Sequence, residues 1–374
     1  MGKNKVCIIT TVHPPFDTRI FHKQAKTLVE AGYDVTLIAQ HDKSETVDGI
    51  DIIPLPEPEN RFSRIFGLSW RAFWLARRQK ADIYHFHDPE LIPIGVLLKL
   101  FNGSKVIYDV HEDVSKQILT KSWVPGSLRK PLARIYSFTE TISSRIFDGI
   151  VVATESIAEN FNRDEAVVVH NYPRLEMLPK FPENGNKKDE VVTTLIYVGG
   201  ITKNRGIKEA ISALSFIDKH KSIKFNLVGK FPDSNFKEEI QALPEYEHVQ
   251  LVGWLPWEEA WGKAQRASIG IVTFLPMPNH VNALPNKMFE YMAAGLPVIA
   301  SDFPLWREIV AGNNCGLMVN PEDSRDIAKA IEYIISHPDE AKEMGHNGRK
   351  AVEEKYHWNQ EGEKLKNLYD KLGD

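Results

Sequence analysis

Three groups of residues in this 374-residue chain combine types and spacings that chemistry can use. The first runs from Leu284 to Asp302. Pro285 can open a helix there, and Gly295 with Pro297 can end it, so the segment reads loop, helix, strand. Met288, Tyr291 and Met292 supply an apolar face. Glu290 lies between Phe289 and Tyr291, and its carboxylate can accept two hydroxyls from a ribose diol, as in dinucleotide-binding folds. An amphipathic helix with a solvated glutamate gives the same pattern. The second group, Tyr197 to Gly206, sets Gly199 and Gly200 at the end of an apolar strand, before a helix that begins near Ile207. Glycines let the backbone approach a ligand, and a helix N-terminus offers unpaired N–H groups to a phosphate. Lys203 and Arg205 can add charge-assisted contacts. A plain tight turn reads the same way.

The third group is a set of histidines after strands. The apolar run Val6–Val12 leads into His13, Pro14, Pro15, Phe16, Asp17, Thr18 and Arg19. Ile83–Phe86 leads into His87, Asp88, Pro89 and Glu90, and Val106–Val110 into His111, Glu112 and Asp113. Three strands that each deliver a histidine at the carboxyl end favour a functional rim, with Pro15, Asp17, Arg19, His87, Asp88, His111 and Glu112 as its candidates. The alternative is a metal site that adds Asp88, Glu112 or Asp113 to the histidines. No HExxH or comparably tight ligand spacing occurs. Gly229 and Lys230 follow the run Phe225–Val228, and Trp254 and Leu255 follow Val249–Val252. Both loops can border a nucleobase or simply pack.

These residues need a scaffold, and the chain supplies alternating strands and helices. Val6–Val12, Val35–Ala39, Ile83–Phe86, Val106–Val110 and Ile150–Ala153 are brief, β-branched and continuously apolar, the signature of parallel strands covered on both faces. Helical spacing fills Ile20–Glu30, Phe62–Gln79, Leu91–Leu100 and Leu128–Phe147. After Asn171 the prolines 173, 179 and 182 and the segment Asn184-Gly185-Asn186 read as a linker. A second series of six short strands follows, then helices over Pro338–Lys355 and Trp358–Leu372. Repeated βα order over two domain lengths predicts an α/β protein with two doubly wound sheets. Ligands of such sheets bind at the carboxyl ends of the strands.

At these residues the chain resembles the family 4, or group 1, glycosyltransferases. The block Pro285–Ser301 is the most specific. His13–Phe21 and His87–Leu91 are similar to a bacterial subgroup active in surface polysaccharide synthesis, and the tail through Tyr356, His357 and Trp358 also fits. The resemblance implies the GT-B fold, two Rossmann-like domains facing across a cleft. It divides the chain into an acceptor domain over 1–172, a linker over 173–190, a donor domain over 191–355 and a C-terminal helix over 356–374 that returns to the first domain. It further implies a retaining transfer from a nucleotide-diphosphate sugar, UDP favoured, to a hydroxyl of a glycan or lipid-linked glycan, with no metal and no further cofactor. Donor binding then falls to Gly199, Gly200, Lys203, Arg205, Gly229, Lys230, Leu255, Pro285, Asn286, Lys287 and Glu290. Glu290 matches the ribose-binding second Glu of the family's paired-Glu motif. His111 matches the His near the reacting edge of the sugar, and Arg205 stands for the diphosphate-binding Lys. Two positions depart: Asn282 occupies the place of the first Glu, and Gly200 that of an Arg found in many members. The catalytic set is thus His111, Asn282 and Arg205. A nucleotide-sugar 2-epimerase of similar architecture and a non-catalytic partner subunit are the competing readings.

Composition narrows the partners. Lys and Arg number 46 against 50 Asp and Glu, for a net charge of −4, which argues against a dedicated nucleic-acid binder. Cys7 and Cys315 are the only cysteines, too few for a disulfide framework or a cysteine zinc site. No apolar run approaches the roughly 18 residues of a spanning helix. The expected location is therefore cytoplasmic. Charge is nevertheless bunched: Arg61–Lys80 holds six basic residues and no acidic one, and Val114–Thr139 holds five and none. In the first stretch Phe62, Ile65, Phe66, Trp70 and Phe73 share a helical face, and Arg64, Arg71 and Arg78 recur seven apart. The second, over 116–134, adds Trp123, Val124 and Pro125 beside Lys121, Arg129 and Lys130. Basic and aromatic residues on a helix suit an anionic membrane surface, here the inner face of the cytoplasmic membrane. Aromatics turned to the sheet with solvated arginines would give the same sequence.

Overall fold

A computed structural model describes residues 4–120, 124–161, 166–178, 192–218 and 220–373. Most of the expected linker, 179–190, lies outside the described residues, as do Lys121 and Trp123. The strands are β1 (Lys5–Ile9), β2 (Asp34–Gln40), β3 (Glu45–Val47), β4 (Ile50–Leu55), β5 (Ile83–Phe86), β6 (Lys105–Val110), β7 (Gly149–Val152), β8 (Ala166–Val168), β9 (Val192–Val198), β10 (Ser222–Val228), β11 (Val249–Gly253), β12 (Ile269–Val272), β13 (Val298–Ser301) and β14 (Gly316–Val319). The α-helices are α1 (Lys26–Glu30), α2 (Ser69–Gln79), α3 (Ile92–Asn102), α4 (Val114–Thr120), α5 (Gly126–Ser144), α6 (Glu155–Ala158), α7 (Ile207–Ser212), α8 (Ser234–Gln241), α9 (Trp257–Gln265), α10 (Asn286–Ala293), α11 (Pro304–Val310), α12 (Ser324–Ser336), α13 (Pro338–Glu354) and α14 (Trp358–Gly373). They form two units: Met1–Asn171 with Trp358–Asp374, and Tyr172–His357.

In the first unit eight strands order as β3-β4-β2-β1-β5-β6-β7-β8. Side chains of β1 alternate between its two faces. Val6 and Ile8 join a core with Ile20, Phe21 and Leu28, while Cys7 and Ile9 join one with Phe73, Leu91 and Leu98. A strand covered on both faces must be apolar throughout, which is why these runs are continuous. The sheet is parallel except at its edge, where β3 pairs antiparallel with β4. That hairpin turns through Asp48 and Gly49, both at positive φ.

The second unit orders its strands as β11-β10-β9-β12-β13-β14, all parallel. Both sheets are wound outward from their first strands. The winding direction changes between β1 and β5 in one, and between β9 and β12 in the other. Such switch points open a crevice at the carboxyl ends of the strands.

The last helix belongs to the first unit. Trp358, Leu365, Leu368 and Tyr369 lie on one face of α14 and are buried against the α1 side of the sheet. Trp358 Nε1 donates to Thr27 Oγ1 at 2.8 Å, and the Glu361 carboxylate accepts from the His170 N–H at 2.9 Å. Trp358→Ala removes a fully buried indole and that hydrogen bond, so the first unit should lose about 3–5 kcal/mol. Urea unfolding followed by circular dichroism checks this; an unchanged midpoint would mean α14 is dispensable.

Candidate active site

In the first unit the ends of β1, β5 and β6 stand side by side. Beneath them lies Asp109, fully buried in β6. An isolated carboxylate there would be prohibitive, and it is met by Arg19, whose Nη2 lies 3.0 Å from Oδ1. Arg19 Nη1 also donates to the Val169 carbonyl at 2.8 Å, and Gln24 Nε2 donates to Asp109. Burial alone would raise the Asp109 carboxyl. The Arg19 charge and the facing histidines outweigh burial and hold it well below the usual range.

Three histidines face Asp109: His85 at 3.6 Å, His87 at 3.7 Å and His111 at 3.3 Å. His87 Nδ1 and His111 Nε2 are 2.8 Å apart. Burial presses His87 well below its ordinary value, helped by His85, and brings His111 down to about 3. Both rings are neutral near pH 7, so a single proton lies between the two nitrogens. Both nitrogens face the Asp109 carboxylate, His111 Nε2 at 3.3 Å and His87 Nδ1 at 3.7 Å; the shorter distance assigns the proton to His111 Nε2 and leaves His111 Nδ1 as an acceptor. His13 stacks toward His111 with ring centroids 5.3 Å apart. Its Nδ1 lies 3.3 Å from Asp17.

The expected rim residues therefore divide by depth. His13, Asp17 and His111 are partly exposed and Glu112 is exposed. Arg19, His87 and Asp88 are buried, which corrects their reading as rim residues. Arg19 neutralises Asp109, His87 supports His111, and Asp88 accepts from Thr10 Oγ1 at 2.9 Å and the Thr11 N–H at 2.5 Å, closing the β1 turn. Pro15 is also buried. His85 and Asp109 escaped the sequence reading. Their signal was polar spacing of two, His85 with His87 and Asp109 with His111, which puts each pair on one strand face. Ligand atoms of His85, His87 and Asp109 lie within 4.8 Å of one another, the grouping that a metal would need. Arg19 already supplies the positive charge there.

In the second unit the switch point gathers cations. The turn after β9 is held by the Gly199 N–H donating to Val228 and by Tyr197 Oη donating to the Gly200 carbonyl, both at 2.8 Å. Gly206 has φ +67°, and a Cβ there would sit 1.8 Å from the Thr273 carbonyl oxygen, so only glycine lets this turn close on β12. Arg205 consequently lies over the Phe274 ring, 4.0 Å from its centroid. Lys287, one residue inside α10, puts Nζ 3.7 Å from the Tyr197 ring centroid and 5.2 Å from that of Phe274. Among the described residues no carboxylate comes within ion-pair distance of Lys287. Burial, then the Arg205 charge, press its ammonium well below the ordinary lysine value.

Other predicted donor residues lie around this pair. Pro285 caps α10 and Asn286 begins it. Glu290 is partly buried, and one of its oxygens accepts from Trp257 Nε1 at 3.3 Å. Gly229 and Lys230 follow β10, with Lys230 5.6 Å from the Trp254 ring and Leu255 beyond. Lys203 and Asn282 are exposed. A short 3-10 turn, Lys203–Arg205, and the six-residue α7 follow the glycines, and Arg205 and Lys287 are the side-chain cations that lie over the Phe274 ring.

Both units are doubly wound α/β domains whose sheets are parallel but for the β3 edge. Residues 180–351 match the family described as glycosyl transferases group 1, and residues 18–172 match glycosyltransferase family 4. The chain belongs to the group 1, family 4 glycosyltransferases, with the GT-B fold. It is 20% identical to glycogen synthase of Mycobacterium tuberculosis, over 95% of this chain and 91% of that protein. It is 27% identical to the capsular polysaccharide biosynthesis glycosyltransferase CapM of Staphylococcus aureus, over 51% of each. The structure of Anabaena HepE in complex with UDP-glucose superposes with a TM-score of 0.75 at 12% identity, covering 98% of this chain and 99% of that one.

The rim makes a titration prediction. Burial alone would lower the His13 pKa, but the Asp17 hydrogen bond and the charges of Asp17, Asp88 and Glu112 raise it above 6.5. Burial would raise Asp17, but His13 draws it down to about 2. A histidine with a raised pKa contributes stability fully below pH 6.5 and loses it as pH climbs through the folded pKa. Asp17 contributes above its ordinary pKa near 4 and loses that contribution as pH falls toward 2. By NMR, His13 should titrate above 6.5 and Asp17→Asn should bring it down, while His111 stays neutral from pH 8 to about 4. A wild-type His13 that titrates below 6.5 would contradict the pairing.

Proposed function

We propose that this glycosyltransferase moves a sugar, with retention, from a nucleotide-diphosphate sugar to a hydroxyl of a glycan or lipid-linked glycan in cell-surface polysaccharide synthesis. UDP is the favoured nucleotide, by analogy with HepE, which was solved with UDP-glucose. One observation carries the donor assignment. Arg205 and Lys287 both lie over the Phe274 ring, no described carboxylate comes within ion-pair distance of Lys287, and an anion bound beside it would offset the charge that Arg205 sets against it. A diphosphate fits that need, because it brings two charges and several acceptor oxygens. Glu290, released from Trp257 or sharing its oxygens, accepts the ribose hydroxyls. Lys230, Trp254 and Leu255 flank the base.

The chemistry follows from where charge develops. As the bond from the sugar's anomeric carbon to the diphosphate breaks, the leaving oxygen becomes negative. Arg205 and Lys287 stabilise that charge. The acceptor oxygen bonds to the same carbon on the same face, and its proton passes to the leaving phosphate oxygen. Atoms and charge balance with no metal and no cofactor. His111 Nδ1, fixed as an acceptor by Asp109 and His87, orients a sugar hydroxyl. It is a positioning group rather than an obligate base. Asn282 replaces a carboxylate and holds hydroxyls by neutral hydrogen bonds.

A panel of nucleoside diphosphates tests this through melting temperature. UDP should raise it, since a ligand at 100 times Kd stabilises by about 2.7 kcal/mol. Arg205→Ala should lower kcat roughly 10²–10³-fold, as for loss of one charge-stabilising donor. No shift with any nucleotide at millimolar concentration would refute the donor site. Turnover of a nucleotide sugar without acceptor to an epimerised product would refute the transfer.

A further inference from the structure

The first unit has a helix that is inside out. In α5, Ala133, Glu140, Ser143 and Ser144 are buried, while Leu128, Leu132, Ile135, Phe138 and Ile142 are exposed. Those five recur at spacings of four and three and so line one face of the helix. Ile135 is 62% exposed and Phe138 68%. The inward glutamate is satisfied by the hydroxyls of Tyr108 and Tyr136, at 2.9 Å and 2.8 Å. A helix that buries serine and glutamate and shows isoleucine and phenylalanine to solvent is built for a second, apolar neighbour.

The pattern extends across the same side of the sheet. On α2 and the π-helical segment Ser63–Leu68 that runs into it, Phe73 faces the core but Phe62, Phe66, Trp70 and Trp74 are exposed, and Leu100 and Phe101 stand out at the end of α3. Phe73 and Phe101 join the two helices, and Arg77 stacks on Trp74 and Phe101. The expectation of one aromatic face on 61–80 is thus corrected: Phe73 turns inward and the others outward. Glu140 is the only acidic residue within α2, α3 and α5, and it is buried. Arg71, Arg78, Lys130 and Arg134 are exposed, and none has a carboxylate partner among the described residues. Between α4 and α5 lies a groove of about 520 Å³, lined by Ser115, Leu119, Lys130, Arg134 and Phe138, with no carboxylate among the described residues of its wall.

We infer that this side of the first unit rests on an anionic lipid bilayer, with the α4–α5 groove holding the phosphate of a lipid headgroup. Charge selects this occupant. A second copy of the chain on a two-fold axis would set the patch against itself and bring its cations together. An anionic bilayer pairs them with phosphates and takes the apolar stripe below the headgroups. No described helix is long and apolar enough to cross a membrane. Joined to the transfer reading, on which this last step rests, the groove points to an acceptor carried on a lipid phosphate.

Sedimentation of the full chain with phosphatidylcholine vesicles, with and without phosphatidylglycerol, tests this. Binding should require phosphatidylglycerol and weaken with salt. Lys130→Gln with Arg134→Gln should reduce partitioning roughly 25-fold, about fivefold for each cation. Ile135→Ser with Phe138→Ser, both on the surface, should also release the protein. The UDP melting shift should persist in both variants. Equal binding to neutral and anionic vesicles, no loss in the Lys130/Arg134 variant, or a dimer broken by the Ile135/Phe138 variant would each overturn the inference. Vesicle binding by a protein that no nucleotide stabilises would support docking while overturning the transfer reading.

Discussion

A charge taken out of water must meet its opposite, and the two units answer that constraint differently. In the first, Asp109 is buried at the core of the sheet and answered within the fold by Arg19. That pair ties the end of β6 to the segment after β1 and, through the Val169 carbonyl, to the end of β8. The strand ends that carry His13, His87 and His111 are thereby fixed to one another. In the second unit, Lys287 is only partly buried; it lies over aromatic rings beside Arg205, and no described carboxylate comes within ion-pair distance of it. The Asp109 charge is finished inside the fold, whereas Lys287 has no described carboxylate at ion-pair distance, and the proposed donor site is built on that lysine. The donor assignment comes from this difference.

The histidines illustrate how support becomes function. His111 has the exposure to meet a substrate, but its protonation is set from below. Asp109 draws the proton to Nε2, His87 receives it as a hydrogen bond, and burial keeps both rings neutral. A neutral, oriented acceptor positions a hydroxyl without competing for its proton. In the proposed transfer the leaving diphosphate is the base, and Arg205 and Lys287 hold its charge.

Much of this architecture was legible in the sequence, for a physical reason. Strands covered on both faces must be apolar throughout, so β1, β2, β5 to β7 and the second series stood out. The β3–β4 hairpin did not, because an edge strand of three residues and a partner carrying Asp51 and Pro54 lack that uniformity. Helix starts and stops were marked by Pro285, Gly295 and Pro297. What could not be read were pairings across long sequence separations: Arg19 with Asp109, Lys287 with Tyr197 and Phe274, Trp257 with Glu290. Those depend on which strand ends become neighbours, and hence on sheet order. The orientation of α5 was hidden for a related reason. Periodicity gives an apolar face but not its direction, and here the face turns away from the core.

The Arg205–Lys287 pair is the proposed seat of a diphosphate. A crystal structure of the full chain grown with UDP tests it most directly. The account predicts diphosphate oxygens within hydrogen-bonding distance of both cations, beside the Gly199–Gly200 turn, with the ribose hydroxyls on Glu290. UDP bound elsewhere, or bound here with Lys287 still against Tyr197 and making no phosphate contact, would contradict it.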